Sequence, residues 1–150
     1  MPLRRAHPDS FPAEQLSALR RLSGLIMPAT GDTPGALEAG AAEFLDFLIG
    51  ASPQERQALY RQGLDRLNSE AKNRHAKLFA DISSVQADAI LAPLREPWTY
   101  KGPDDPFGRF LLTVKDDVIT ATVNSREWVT TVSKRSRGAG GLGQYWYRVE

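Results

Sequence analysis

From Pro28 to Gly35 the chain reads Pro-Ala-Thr-Gly-Asp-Thr-Pro-Gly, a run in which a regular helix or strand cannot persist. Each proline fixes φ and removes a backbone donor, and each glycine opens conformations closed to other residues. After Ala36, in Ala36-Leu37-Glu38-Ala39-Gly40 and on through Phe44-Leu45-Asp46-Phe47-Leu48, the apolar spacing changes to a helical repeat. The run is therefore a stiff corner between two helices, and the fold must be made by packing helices across it.

Upstream of the corner, Ser10 or Asp9 can cap a helix that begins at Pro12. Leu16, Leu19, Leu22, Leu25 and Ile26 recur at three- and four-residue steps, which predicts a helix over about 12–27. Downstream, a second helix is expected over about 34–50, burying Leu37, Ala41, Phe44, Leu45 and Leu48 and stopping at Gly50, with a small and acidic opposite face. Ser52-Pro53-Gln54-Glu55 has the form of a capping box, opening a third helix that runs to about Asn73 with Leu59, Tyr60, Gly63, Leu64 and Leu67 on one stripe. Gly63 leaves room there for a close helix neighbour, and Arg56, Arg61 and Arg66 are expected to face outward.

A second box, Ser83-Ser84-Val85-Gln86, opens a short helix carrying Val85, Ala89, Ile90 and Leu91 up to Pro93. Pro93, Pro97, Pro103 and Pro106 then make residues 94–103 a rigid loop that presents Trp98 and Tyr100. Beyond it, Val118-Ile119-Thr120-Ala121-Thr122-Val123 has strand propensity, but Phe107, Phe110, Leu111, Val114, Val118 and Thr122 keep helical spacing over four turns. Spacing decides for a helix over about 104–123. An irregular tail is expected after it, with residues 133–150 glycine-rich, basic and aromatic, because Gly138, Gly140, Gly141 and Gly143 oppose regular structure. The reading is a single, mainly α domain over 1–150: a bundle of about five helices, a flexible start at 1–11 and an irregular aromatic C-terminal tail.

The 150 residues are enough to bury a sizeable core. Nineteen basic side chains against eighteen acidic ones give no long-range field favouring nucleic acid or an anionic membrane surface. Cysteine is absent, which removes disulfides, thiol nucleophiles and thiolate-held metal. No window approaches the roughly 20 apolar residues of a membrane span. Arg4-Arg5 is followed by the polar, proline-broken Ala6-His7-Pro8-Asp9-Ser10-Phe11-Pro12, so it does not read as a twin-arginine signal.

Chemistry-bearing groups are sparse. His7 and His75 have no carboxylate or second histidine at metal-ligand spacing, and His75, within Asn73-Arg74-His75-Ala76-Lys77, reads as a polar helix-end residue whose cation suits the C-terminal dipole. Asp104-Asp105 and Asp116-Asp117 are adjacent pairs, and neighbours on a helix point about 100 degrees apart instead of converging on one substrate atom. Asp104-Asp105 fits helix-start charge. Phosphate loops, a nucleophile elbow and an HExxH helix are all missing. Lys134-Arg135-Ser136-Arg137 before Tyr145-Trp146-Tyr147-Arg148 has the composition of a single-strand nucleic-acid arm, but with a balanced net charge it fits an aromatic docking tail better. Trp98, Tyr100, Trp128, Tyr145, Trp146 and Tyr147 are the candidate partner-binding residues, of the types that dominate protein–protein hot spots.

The corner together with Gly63-Leu64-Asp65-Arg66-Leu67-Asn68, Leu78-Phe79-Ala80 and Ser83-Ser84-Val85-Gln86-Ala87-Asp88-Ala89-Ile90-Leu91 resembles the gluconate 2-dehydrogenase subunit 3 family, over most of residues 16–95. That resemblance implies a small subunit of a membrane-associated complex. In such complexes a flavin-bearing large subunit oxidises a sugar, sugar acid or alcohol and a multihaem cytochrome subunit takes the electrons. It further implies that the small subunit holds no cofactor, binds the flavoprotein, helps it mature and stay folded, and in many members travels with it to the periplasm. Many relatives carry a twin-arginine signal, so here either a partner carries it or the protein acts without export.

The expected function is a non-catalytic accessory subunit of a flavin-dependent dehydrogenase. Two other readings fit the same residues: a free-standing helical interaction domain or homodimer, and an enzyme using His75 with a nearby carboxylate as acid and base.

Overall fold

The computed structural model describes residues 11–95 and 105–138, with backbone only for 135–138. Seven α-helices form among them: α1 (Ala13–Ile26), α2 (Ala36–Ala39), α3 (Ala41–Gly50), α4 (Gln54–His75), α5 (Ser84–Ile90), α6 (Pro106–Val123) and α7 (Arg126–Gly138). Short 3-10 turns at Phe79–Asp81 and Ala92–Arg95 flank α5. Apart from one isolated bridge between Thr30 and Thr33, no strand occurs among the described residues, and the fold is mainly α as expected.

The corner is as stiff as its sequence requires. Thr30 and Thr33 exchange backbone hydrogen bonds of 3.1 and 2.8 Å, with Gly31 at φ +57° between them. The Ala36 amide then donates to the Met27 carbonyl at 2.8 Å, clamping the start of α2 onto the end of α1. Gly35 is required by close approach: a Cβ there would collide with the Met27 carbonyl oxygen and the Ala29 amide. Its own amide donates to Glu38 Oε1 at 2.9 Å, so the first turn of α2 is capped from within.

The second helix departs from expectation. Gly40 takes the left-handed conformation, φ +69°, and divides it into α2 and α3. The break re-phases the two pieces, so that Ala36, Ala41, Ala42, Leu45 and Ile49 face the core while Leu37 and Phe44, expected inside, are 54% and 50% exposed. Ala41 and Leu45 are buried as expected and Leu48 packs partly against the core, but Asp46 is buried with them, its Oδ1 accepting the Phe11 amide at 2.9 Å. Phe11 is itself buried, although 1–11 reads as flexible from sequence; the rest of that segment lies outside the described residues.

The close neighbour expected at Gly63 is Phe110. A Cβ at Gly63 would lie inside that ring, so α4 and α6 can cross here only because the position has no side chain. Tyr60 meets Phe110 edge to face with centroids 5.7 Å apart and stacks on Phe11 at 6.1 Å. All six α6 residues with helical spacing, Phe107 to Thr122, are buried, so periodicity did outweigh strand propensity. Asn68 ties three elements together: its Nδ2 donates to the Glu14 carbonyl at 3.3 Å and its Oδ1 accepts the Phe79 amide at 3.1 Å.

The two capping boxes behave differently. Ser83 and Gln86 form theirs reciprocally, at 3.1 and 3.0 Å. Ser52 does not. Its hydroxyl donates back to the Leu48 carbonyl at 2.8 Å, beside the Ala51 amide at 3.1 Å, and Pro53 takes the N-cap position of α4 without a side-chain cap. Gln57 Nε2 secures the joint instead, donating to the Gly50 and Ser52 carbonyls at 3.2 and 3.0 Å.

After Val123 the chain turns back into helix, where an irregular tail was expected. Ser125 Oγ accepts the Trp128 amide at 3.1 Å and donates to the Thr122 carbonyl at 2.7 Å, closing α6 and opening α7 with one hydroxyl. The glycines from 140 onward, most of the 94–103 loop and the tail beyond 138 lie outside the described residues.

Candidate interaction surface

One polar cluster in the described part of the molecule joins two helices of the core. Arg56, expected to face solvent, turns inward and pairs with Asp117 at 2.7 Å, and Tyr60 donates its hydroxyl to the same carboxylate oxygen at 2.5 Å. Burial, and then the hydrogen bond to Asp117, push the Tyr60 phenol far above its ordinary range, so it stays protonated wherever the protein is folded at moderate pH. The group is a bolt between α4 and α6, with two donors from α4 converging on Asp117 Oδ2. Asp116, one position earlier, is exposed, as the 100-degree offset of helix neighbours predicts.

The remaining carboxylates are placed similarly. Asp105 caps α6 by accepting the Gly108 amide at 3.0 Å, the helix-start role read from sequence; Asp104 lies outside the described residues. Glu70 accepts from Arg66 and Arg74 at 3.0 and 3.2 Å, and the Arg66 hydrogen bond leads in holding its carboxyl below the usual range, against a smaller opposing effect of burial. Arg66 also places its guanidinium 4.9 Å from the Phe107 ring centroid. His75 closes α4 in a turn that also carries Lys72 and Arg74, with Ala76 in the left-handed conformation after it. No group of three or more His, Asp or Glu side chains that could hold a metal ion occurs among the described residues.

The surface is more informative than the interior. Leu37, Phe44 and Phe47 are each about half exposed on α2 and α3, at 54%, 50% and 55%. Arg20 and Gly24, one turn apart on α1, show how these helices lie: Arg20 pairs with Glu43 at 2.5 Å, and Leu37 lies against Gly24. Phe44 and Phe47 follow Glu43 on α3 and share a face three residues apart. The result is an apolar ridge along one edge of α1. Val85 and Val129 are also exposed, but each stands alone on its own helix. An open groove of about 490 Å³ separates the corner from α7, with Asp32, Glu38, Arg126, Glu127, Thr130 and Thr131 among its walls.

Of the six aromatic residues singled out from sequence, Trp128 is described: it is half-buried in the first turn of α7. Trp98, Tyr100, Tyr145, Trp146 and Tyr147 lie outside the described residues. Sequence reasoning missed the ridge because it placed Leu37 and Phe44 inside; the signal that could have found it is Gly40, which can end one helix and restart the next in a new phase. No helix among the described residues is long and apolar enough to cross a membrane.

The family model for gluconate 2-dehydrogenase subunit 3 matches residues 13–136, and the chain belongs to that family. The match covers α1 to most of α7, well beyond the 16–95 in which the resemblance is read from motifs. No curated protein and no solved structure matches the chain.

Proposed function

We propose that this chain is a non-catalytic accessory subunit that binds the large, flavin-dependent subunit of a gluconate, sugar or alcohol dehydrogenase and keeps it folded. The observation that carries this reading is membership, over most of the chain, in a family described as a gluconate 2-dehydrogenase subunit. The engagement of Tyr60, Asp117, Arg56, Glu70 and Asp105 within the fold supports it, because it leaves these groups to packing and capping. The partner carries the flavin, a multihaem cytochrome subunit accepts the electrons, and this chain holds no cofactor. Trp128, with Trp98, Tyr100, Tyr145, Trp146 and Tyr147, contributes aromatic contact area. The complex works in the periplasm.

Binding only the folded partner stabilises it by about 2.7 kcal/mol when free subunit stands at roughly 100 times its dissociation constant. Co-expression is the test. The large subunit should gain soluble yield and flavin content when this chain is present, measured by flavin absorbance per milligram of purified flavoprotein. Equal yields and equal loading with and without the chain would overturn the reading.

A further inference from the structure

We draw no further inference here: the strongest candidate, the open groove of about 490 Å³ between the corner and α7, carries both acidic and basic side chains on its walls, and nothing in the structure shows what covers it.

Discussion

The crossing of α4 over α6 and the pair α2–α3 use aromatic residues in opposite ways. At the crossing, Gly63 yields its whole side-chain volume to Phe110, Tyr60 meets the same ring edge to face, and Phe11 stacks in turn on Tyr60. On α2–α3 the alanines take the inner positions and Phe44 and Phe47 stand outside. Ring size is spent on stability in the first region and on surface in the second. The difference shows that an apolar residue at helical spacing is evidence of a core only when the helix is continuous through it.

The largest effect should come from the crossing. Phe110→Ala is expected to lower unfolding free energy by about 3–5 kcal/mol, because it removes a fully buried ring and leaves a cavity beneath α4. Gly63→Ala should cost about 1–3 kcal/mol by overpacking against that ring. In the Phe110→Ala background the same Gly63→Ala change should become neutral or stabilising, since alanine is the better helix former by about 1 kcal/mol and the obstacle is gone. Urea unfolding of the four proteins measures the coupling. Additive costs would show that Gly63 and Phe110 do not share space in solution.

Next is the bolt beside the crossing. Tyr60→Phe should cost about 1.5 kcal/mol at neutral pH, near the low end for a hydrogen bond to a charged group because Arg56 still holds Asp117. The pH dependence has a definite sign. Tyr60 has its folded pKa raised above the ordinary value of 10.0, so its contribution is full below pH 10 and is lost as pH rises beyond it. Wild type should lose up to about 1.4 kcal/mol per pH unit there, and Tyr60→Phe should lack this component. Parallel alkaline stability curves for the two proteins would mean the phenol is not desolvated.

Smaller still is Glu70, which lies on the exposed side of α4 between Arg66 and Arg74. Glu70→Gln should cost well under 1 kcal/mol, as two screened i,i+4 pairs of about 0.3–0.5 kcal/mol each allow. Its folded pKa is depressed below 4.5, so the contribution is present above that value and disappears as pH falls through the lowered one. Thermal unfolding should show a small difference at pH 7 that shrinks as pH is lowered progressively below 4.5. Addition of salt at pH 7 should shrink it.

Much of this was legible in advance because it follows from local rules. The corner at 28–35, the stop at Gly50, the Ser83–Gln86 box, the long α4 and the α6 stripe from Phe107 to Thr122 each depend on residues within a turn or two of one another. The vacancy at Gly63 was legible too, though not which ring would fill it. What sequence did not show was phase and competition. Whether Gly40 sits quietly in a helix or re-phases it is decided by tertiary packing on α1, and Leu37 and Phe44 changed sides with that choice. Ser52 could accept the Glu55 amide as a cap or donate backwards to a carbonyl, and it donates to the Leu48 carbonyl near the end of α3. α7 was lost because the glycines near its end coloured the reading of everything after Val123, although Ser125 ahead of Arg126-Glu127 is an ordinary N-cap signal. The exposure of Leu37 and Phe44 was missed for the same reason, since it cannot be seen before the phase of the helix is known.

The sharpest use of the comparison is one substitution made in both regions. Phe110→Gln should unfold the protein or cost several kcal/mol, because it buries an amide where no partner waits for it. Phe44→Gln should change unfolding free energy by no more than about 0.5 kcal/mol. Half of the Phe44 ring is already in water, the glutamine stem keeps contact with the same helix neighbours, and glutamine is the better helix former. A loss of 2 kcal/mol or more, about what a fully buried ring contributes, would place Phe44 in the core and remove the contrast between the two regions.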